Sequence, residues 1–173
     1  MSDILVSEHI PGVAMDALAD EFSVCRAPSL WNCPAELRAR LDGYRALMVR
    51  NQTPVNAALL GAAPTLEVVG RAGVGTDNID LDAAREHGVT VVYTPEQNAI
   101  SVAELVFGLM LSLARHVPAA SRSASAGEWD RHRFMGVELY GKTLGIIGLG
   151  RIGHRVGIRA RAFGMDIVAY DPF

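Results

Sequence analysis

A parallel α/β architecture is expected of this 173-residue chain on three observations. Short aliphatic and β-branched runs alternate with helical stretches along most of its length. The runs are mainly apolar, whereas a sheet with one solvated face would alternate polar and apolar residues, so crossover helices are expected to cover both faces. Half of the residues are hydrophobic, enough for a sizeable core, which excludes a disordered tail or a disulfide-stapled miniprotein.

The elements follow in order. Residues 4–7 are the first apolar run, 13–22 a helical stretch, 23–25 a short strand and 35–41 a second helix. Residues 45–49 read as a buried strand, 56–62 as a short helix and 66–69 as a strand. A helix at 81–87 is closed by Gly88, which suits the left-handed position after a helix end, and a strand at 89–93 follows. This first α/β unit is placed at residues 1–97. The longest helix signal opens with Ser101-Val102-Ala103-Glu104, which has the capping-box spacing, and it stops before Pro118. Residues 119–140 are more polar, with Trp129, Phe134 and Met135 among Arg131, His132 and Arg133, and read as an arm or loop with aromatic anchors. A strand at 143–147, a helix at 151–163 and a strand at 166–170 complete a second unit, residues 98–173. No internal repeat or low-complexity segment interrupts the pattern.

Charge and composition narrow the function. Sixteen Lys and Arg against nineteen Asp and Glu leave a net charge of −3, no footprint for nucleic acid or an anionic membrane. The greasiest stretch, 105–114, lies between Glu104 and Arg115 and is too short to span a bilayer. Met1-Ser2-Asp3 carries an acid where a signal peptide needs positive charge, and Ile4-Leu5-Val6 is too short for its apolar region. Cys25 and Cys33 fit no metal or redox spacing and read as incidental thiols suited to a reducing compartment. The expectation is a cytoplasmic protein without a metal site.

Gly148-Leu149-Gly150-Arg151-Ile152-Gly153 matches G-x-G-x-x-G. The bare pattern is weak, but its context is specific: a strand leads into it, a helix follows, and a second strand ends in Asp171 at about the 20-residue spacing of a dinucleotide-binding unit. Gly148 permits the tight turn, Gly150 lets a pyrophosphate approach the backbone, and Gly153 lets helix and strand pack closely. The helix beginning with Arg151 and Ile152 offers its first amides and partial positive charge to the phosphates. Asp171 can accept the ribose hydroxyls and would repel a 2′-phosphate, which favours NAD over NADP.

Lys142-Thr143-Leu144-Gly145-Ile146-Ile147 leading into that loop, and Ala169-Tyr170-Asp171-Pro172-Phe173, resemble the D-isomer-specific 2-hydroxyacid dehydrogenases. So do Arg71-Ala72-Gly73-Val74-Gly75-Thr76-Asp77-Asn78-Ile79-Asp80, similar to the family's substrate loop, and Gly127-Glu128-Trp129 with Phe134-Met135-Gly136, similar to its interdomain arm. The likeness covers essentially the whole chain and is strongest to the branch that acts on 3-phosphoglycerate. It implies a flavodoxin-like substrate domain followed by the first part of a Rossmann NAD-binding domain, with a cleft between them.

The resemblance also implies roles. Arg50, followed by Asn51, matches a substrate-contacting Arg, and Arg71 with the backbone at Gly73 and Val74 matches the loop that holds the substrate carboxylate. Guanidinium and backbone amides are suitable carboxylate ligands, since charge-assisted bonds are short and Arg binds bidentately. Val74 would also lie on the nicotinamide side, and Asn98 near the crossing between domains. Both arginines follow buried strands, at the carboxyl ends where open parallel sheets place ligands, and an anion between them would relieve their repulsion. Taken alone, Arg50 also fits a solvated strand end, and Gly73 and Gly75 fit turn glycines.

In the resembled family a His takes the hydroxyl proton, a Glu supports it and an Arg grips the substrate, all downstream of the ribose acid. His9, His87, His116, His132 and His154 match none of those contexts, so no catalytic residue is assigned within these 173 residues and the chain by itself is expected to be inactive. It reads as the N-terminal part of a longer dehydrogenase, with an apolar sheet edge uncovered and a homodimer expected through the arm. The substrate is a small 2-hydroxy acid. Asn51 and Gln52 replace the Ser-containing stretch more usual in the 3-phosphoglycerate branch, which leaves sulfolactate and glycerate open. A non-catalytic NAD-sensing or corepressor-like protein of the same fold is the alternative from another class.

Overall fold

The computed structural model of the chain describes residues 3–173; Met1 and Ser2 of the amino-terminal motif lie outside the described residues. Two compact units result, one ending at Gln97 and one spanning Asn98–Phe173.

In the first unit, β1 (Ile4–Val6), β2 (Val24–Arg26), β3 (Ala46–Val49), β4 (Val68–Arg71) and β5 (Thr90–Tyr93) form one parallel sheet, ordered β2-β1-β3-β4-β5. That is the flavodoxin-like order, and its topological switch point lies between β1 and β3. Helices α1 (Val13–Glu21), α2 (Pro34–Leu41), α3 (Ala57–Leu60) and α4 (Leu81–Glu86) connect the strands. Leu5, Leu47 and Val69 point into one core with Leu37 and Leu41 of α2, Leu59 and Leu60 of α3 and Ala83 and Ala84 of α4. Ile4, Val6, Ala46 and Met48 join a second core with Met15 and Leu18 of α1. Successive residues of a strand therefore bury in opposite directions, which is why the runs are mainly apolar and do not alternate.

The expected cover on both faces is met only in part. Val92 of β5, in register with Gly70 on the α1 side, is half exposed. A helix is about 10 Å wide and neighbouring strands are about 4.8 Å apart, so α1 alone covers two or three strands. The fourth strand also starts later than expected. Leu66 is buried and turns back onto Ala63 through a 3.0 Å backbone bond, so the ladder begins at Val68 and takes in Arg71.

In the second unit, α5 (Ala99–Arg115) and α6 (Val117–Ser125) precede β6 (Thr143–Ile147), α7 (Arg151–Ala162) and β7 (Asp166–Tyr170), and the two strands pair in parallel. The capping box expected at Ser101 does not form. Ala99 is buried, which anchors the helix one residue after Asn98, and Ser101 and Glu104 fall inside it, where Glu104 instead lies 3.8 Å from Arg159 of α7. The arm expected over 119–140 is likewise helical as far as Ser125. Pro118 starts this helix as well as ending the previous one, because a proline suits the first turn, where its missing N–H is not needed. His116, at φ 54°, makes the corner between α5 and α6, a bend of 66°.

Ala103 and Phe107 of α5 pack with Val156 and Ala160 of α7 and Ile146 of β6, and Phe107 stacks on Phe163 at 5.0 Å. The opposite face of the two strands leaves Ile147, Val168 and Tyr170 exposed. Among the described residues no single helix is long and apolar enough to cross a membrane.

Candidate functional site

At the carboxyl edge of the first sheet, β1 continues into Ser7 and Glu8, and β3 into the loop Arg50-Asn51-Gln52-Thr53. These segments flank the switch point. Glu8 is only 2% exposed, and its carboxylate accepts hydrogen bonds from four successive backbone N–H groups. Oε1 takes those of Arg50 at 2.8 Å and Thr53 at 2.9 Å, and Oε2 those of Asn51 at 3.2 Å and Gln52 at 3.1 Å. Burial raises the pKa of Glu8, but the amides of Arg50, Thr53 and Gln52 and the Thr53 hydroxyl outweigh it, so the carboxyl titrates below its ordinary 4.5. Ser7 Oγ lies 2.8 Å from Thr53 Oγ1, which closes the buried side of the loop. On its other side, Asn78 Nδ2 donates to the carbonyls of Arg50 at 3.2 Å and Thr53 at 2.7 Å. The side chains of Arg50, Asn51 and Gln52 are exposed.

Arg71 ends β4, in register with Val49, so the two predicted arginines stand on adjacent strand ends. Its side chain folds back over Gly73: Nη1 donates to the Ala72 carbonyl at 3.3 Å, and a Cβ at Gly73 would overlap the guanidinium. Gly73 also has φ +153°, so glycine is required there twice over. Its N–H donates to the Arg71 carbonyl at 2.9 Å, and its own carbonyl accepts from Thr94 at 3.1 Å. Val74 follows, half-buried in the same loop. Arg71 Nε is the one buried side-chain polar atom among the described residues with no hydrogen-bond partner. A donor so placed costs free energy unless an acceptor arrives, and an anionic ligand is such an acceptor.

In the second unit, β6 is followed by Gly148, φ +88°, which turns the chain toward α7. A Cβ on Gly153 would strike the Gly148 carbonyl and come within 3.2 Å of Ile146 Cγ2, so this glycine sets the close packing of helix on strand. Gly150 differs. Its φ of −65° is open to any residue, and a Cβ there meets nothing within 4 Å. The fold has no need of a glycine at 150, whereas a phosphate resting on this backbone does. Arg151 is exposed and Ile152 turns its side chain to the core, so Ile152 offers its backbone N–H, within the first turn where amides have no helical acceptor. Asp171 lies just beyond β7, and its carboxylate is fixed by Leu149 N–H at 2.6 Å and Phe173 N–H at 3.1 Å. Asn98 heads α5, where its carbonyl accepts Val102 N–H at 2.9 Å and its side chain makes no capping bond.

The five histidines are all exposed; His87 Nδ1 approaches the Ala83 carbonyl at 2.8 Å. Both cysteines are free thiols. In the arm, Gly136 packs against Ala114 and Arg115 at the end of α5, while Trp129 and Met135 are 84% and 75% exposed. Glu8 and Asn78 are the residues that sequence reasoning passed over as site components. The signal for Glu8 was an acid just past the first strand, but its meaning depends on β1 and β3 being neighbours.

The sequence matches the family described as D-isomer specific 2-hydroxyacid dehydrogenase, catalytic domain, over residues 4–163. It is 49% identical over all of its length to D-3-phosphoglycerate dehydrogenase of Methanocaldococcus jannaschii, of which it covers 33%. It is 51% identical to the human D-3-phosphoglycerate dehydrogenase over 79% of this chain and 26% of that one. The chain thus spans a third or less of the curated relatives it matches. Among solved structures, the TT0316 protein of Thermus thermophilus superposes with a TM-score of 0.89 at 35% identity, over 99% of this chain and 58% of that one. A D-lactate dehydrogenase from Aquifex aeolicus, complexed with NAD and lactic acid, gives 0.84 at 28% identity, over 99% and 52%. With the parallel sheets, the glycine loop and this match along nearly its entire length, the chain belongs to the D-isomer-specific 2-hydroxyacid dehydrogenase family.

Proposed function

We propose that this chain carries the substrate-holding and dinucleotide-holding parts of an NAD-dependent oxidoreductase that converts a D-2-hydroxy acid, 3-phosphoglycerate first, to the 2-oxo acid. The observation that carries the reading is Gly150, a glycine that the fold does not require, in a loop beside the fixed carboxylate of Asp171. NAD, when bound, supplies the hydride acceptor. Its pyrophosphate would rest on the Gly148–Gly153 turn and the first amides of α7, and the remaining lone pairs of Asp171 suit the adenosine ribose hydroxyls. A 2′-phosphate at that position meets a carboxylate, which favours NAD.

In the first unit, Arg50 and Arg71 present cations at neighbouring strand ends, and the buried Arg71 Nε lacks an acceptor. A substrate carboxylate on Arg71 and the Gly73 and Val74 segment, with Arg50 held to the second anionic group, satisfies both cations. These residues bind and orient; proton transfer from the hydroxyl is assigned to residues outside these 173, since none of the five histidines here stands in the sequence context of the family's base. The similarity to 3-phosphoglycerate dehydrogenases supports that substrate over sulfolactate or glycerate. The test is initial-rate kinetics of the full-length protein with D-3-phosphoglycerate, sulfolactate and D-glycerate, each with NAD and with NADP. The expected result is the highest kcat/KM for D-3-phosphoglycerate with NAD, and preference for another acid or for NADP refutes the corresponding part.

A further inference from the structure

We propose that Glu8 is a positioning residue for the substrate anion, acting through Arg50 by holding the Arg50–Thr53 main chain in place; this rests on the reading of Arg50 as a substrate ligand. Four successive N–H groups converging on one point form a backbone nest, the kind of concavity that binds anions at the carboxyl edge of a parallel sheet. Here the protein fills that nest with its own carboxylate. The backbone amides of this loop are therefore taken, and what the loop offers an arriving anion is side-chain charge, that of Arg50.

The clamp matters because, apart from buried Thr53 and its contact with Ser7 at the end of the loop, no side chain of this segment is packed. Arg50, Asn51 and Gln52 have exposed side chains, so no packing of theirs sets the loop conformation. The backbone is held from both sides, with Glu8 on its N–H groups and Asn78 Nδ2 on the carbonyls of Arg50 and Thr53. Arg50 thus has its own N–H and its own carbonyl both bonded to side chains. A guanidinium borne on a fixed main chain loses less freedom on gripping an anion than one borne on a mobile loop. An unpaired acid in this place would repel the substrate, but a carboxylate sharing its charge with four amides is already satisfied.

A carboxamide cannot reproduce the arrangement. Each Glu8 oxygen accepts two N–H groups, so in Glu8→Gln the amide nitrogen would face two donors as a donor itself. Glu8→Asp keeps the charge and both acceptors on a stem one methylene shorter.

The experiment is a double-mutant cycle in the full-length protein, with Glu8→Gln, Glu8→Asp, Arg50→Ala and the Glu8→Gln/Arg50→Ala pair. KM for D-3-phosphoglycerate and kcat are read from initial rates, and NADH affinity from fluorescence titration. Glu8→Gln is expected to raise KM about tenfold or more with a smaller change in kcat and NADH affinity kept within about twofold, and Glu8→Asp to recover part of the loss. In the Arg50→Ala background, Glu8→Gln should add less than about twofold, because the group it positions is gone. A clamp serving the fold alone would instead lower stability without that coupling. If Arg50→Ala raises KM and Glu8→Gln does not, or if the two effects multiply, the positioning role is overturned while the substrate reading stands. If Arg50→Ala leaves KM unchanged, the substrate reading fails and this inference with it. Should Glu8→Gln not fold, Asn78→Ala loosens the same loop from its carbonyl side. A raised KM that is non-additive with Arg50→Ala then supports the proposal, and an unchanged or independent KM overturns it.

Discussion

Gly150, which caps α7, and Gly153, in its first turn, stand three residues apart, yet opposite consequences are expected when each becomes alanine. At position 150 the backbone has φ −65° and a Cβ would meet no protein atom within 4 Å. Alanine there costs the fold nothing and restricts the unfolded chain, so stability is expected to hold or rise by about 0.4–1 kcal/mol. The open space is where the pyrophosphate is proposed to lie, and a methyl pushed into that contact costs about 1–3 kcal/mol, or roughly 5- to 150-fold in dinucleotide affinity. At position 153 the added methyl strikes the Gly148 carbonyl and crowds Ile146 Cγ2, so helix α7 must move off β6. Gly153→Ala should lose about 1–3 kcal/mol or more of stability and, by displacing the helix N-terminus, dinucleotide binding with it. The assay is thermal unfolding by circular dichroism beside NADH fluorescence titration, on the full-length protein. The reasoning is refuted if Gly150→Ala binds NADH as tightly as the parent, or if its melting temperature falls as far as that of Gly153→Ala.

Four further outcomes are expected. Asp171→Ser should improve NADP relative to NAD by about tenfold, through about 1.4 kcal/mol of relieved repulsion, and an unchanged ratio of kcat/KM for the two would count against the ribose assignment. The 173-residue chain by itself should reduce no NAD in the presence of D-3-phosphoglycerate, and NADH formation by a preparation free of host dehydrogenase would contradict this. Self-association through the arm should appear in sedimentation and weaken in Trp129→Ala, since Trp129 is largely exposed and aromatic residues of this kind anchor interfaces; a clean monomer at high concentration opposes it. Glu8 has a pKa lowered in the folded state, so its contribution to stability is present above about pH 4.5 and is lost as pH falls through the depressed value. Urea unfolding of the parent and of Glu8→Gln at neutral and at acid pH should therefore converge on acidification, and a difference between them that grows in acid would contradict the clamp.

Much of the fold was legible because the pattern that encodes it is local. The five short, mainly apolar runs of the first unit and the strand–loop–helix around Gly148 announce themselves in sequence, since strands covered on both faces lack polar alternation. What was misread depended on tertiary context. Ser101 and Glu104 have the spacing of a capping box, but burial of Ala99 starts the helix earlier and leaves them inside it. Pro118 looked like the end of a helix and is also the start of the next, a choice made by the left-handed corner at His116. The arginines at 50 and 71 could be singled out in the sequence by the family resemblance together with their positions at strand ends. Glu8 could not, because its partners lie more than forty residues away and meet it only once β1 and β3 are neighbours.

Each unit uses an acid just past a strand to fix the loop that follows the neighbouring strand, and the difference between the two cases determines what kind of residue meets the ligand. After β1, Glu8 takes all four amides of the loop following β3, so that backbone has no donor left to offer, and in the proposed function recognition passes to the guanidinium groups of Arg50 and Arg71. After β7, Asp171 takes the Leu149 amide of the loop following β6, and that loop runs into α7 through a glycine with open space above it. Substrate recognition in the first unit should therefore be lost by changing side chains, and dinucleotide recognition in the second by adding atoms to the backbone. A substrate anion held by long cationic side chains can vary in shape, which suits a family whose members differ in the acid they take. A pyrophosphate held by main-chain amides cannot be adjusted by most substitutions, which suits a group common to them. If the proposed substrate role of Arg50 holds, a change of substrate is expected to come most readily from the exposed Arg50-Asn51-Gln52 loop on its Glu8 clamp, where side chains can be exchanged without disturbing the bonds that hold the backbone.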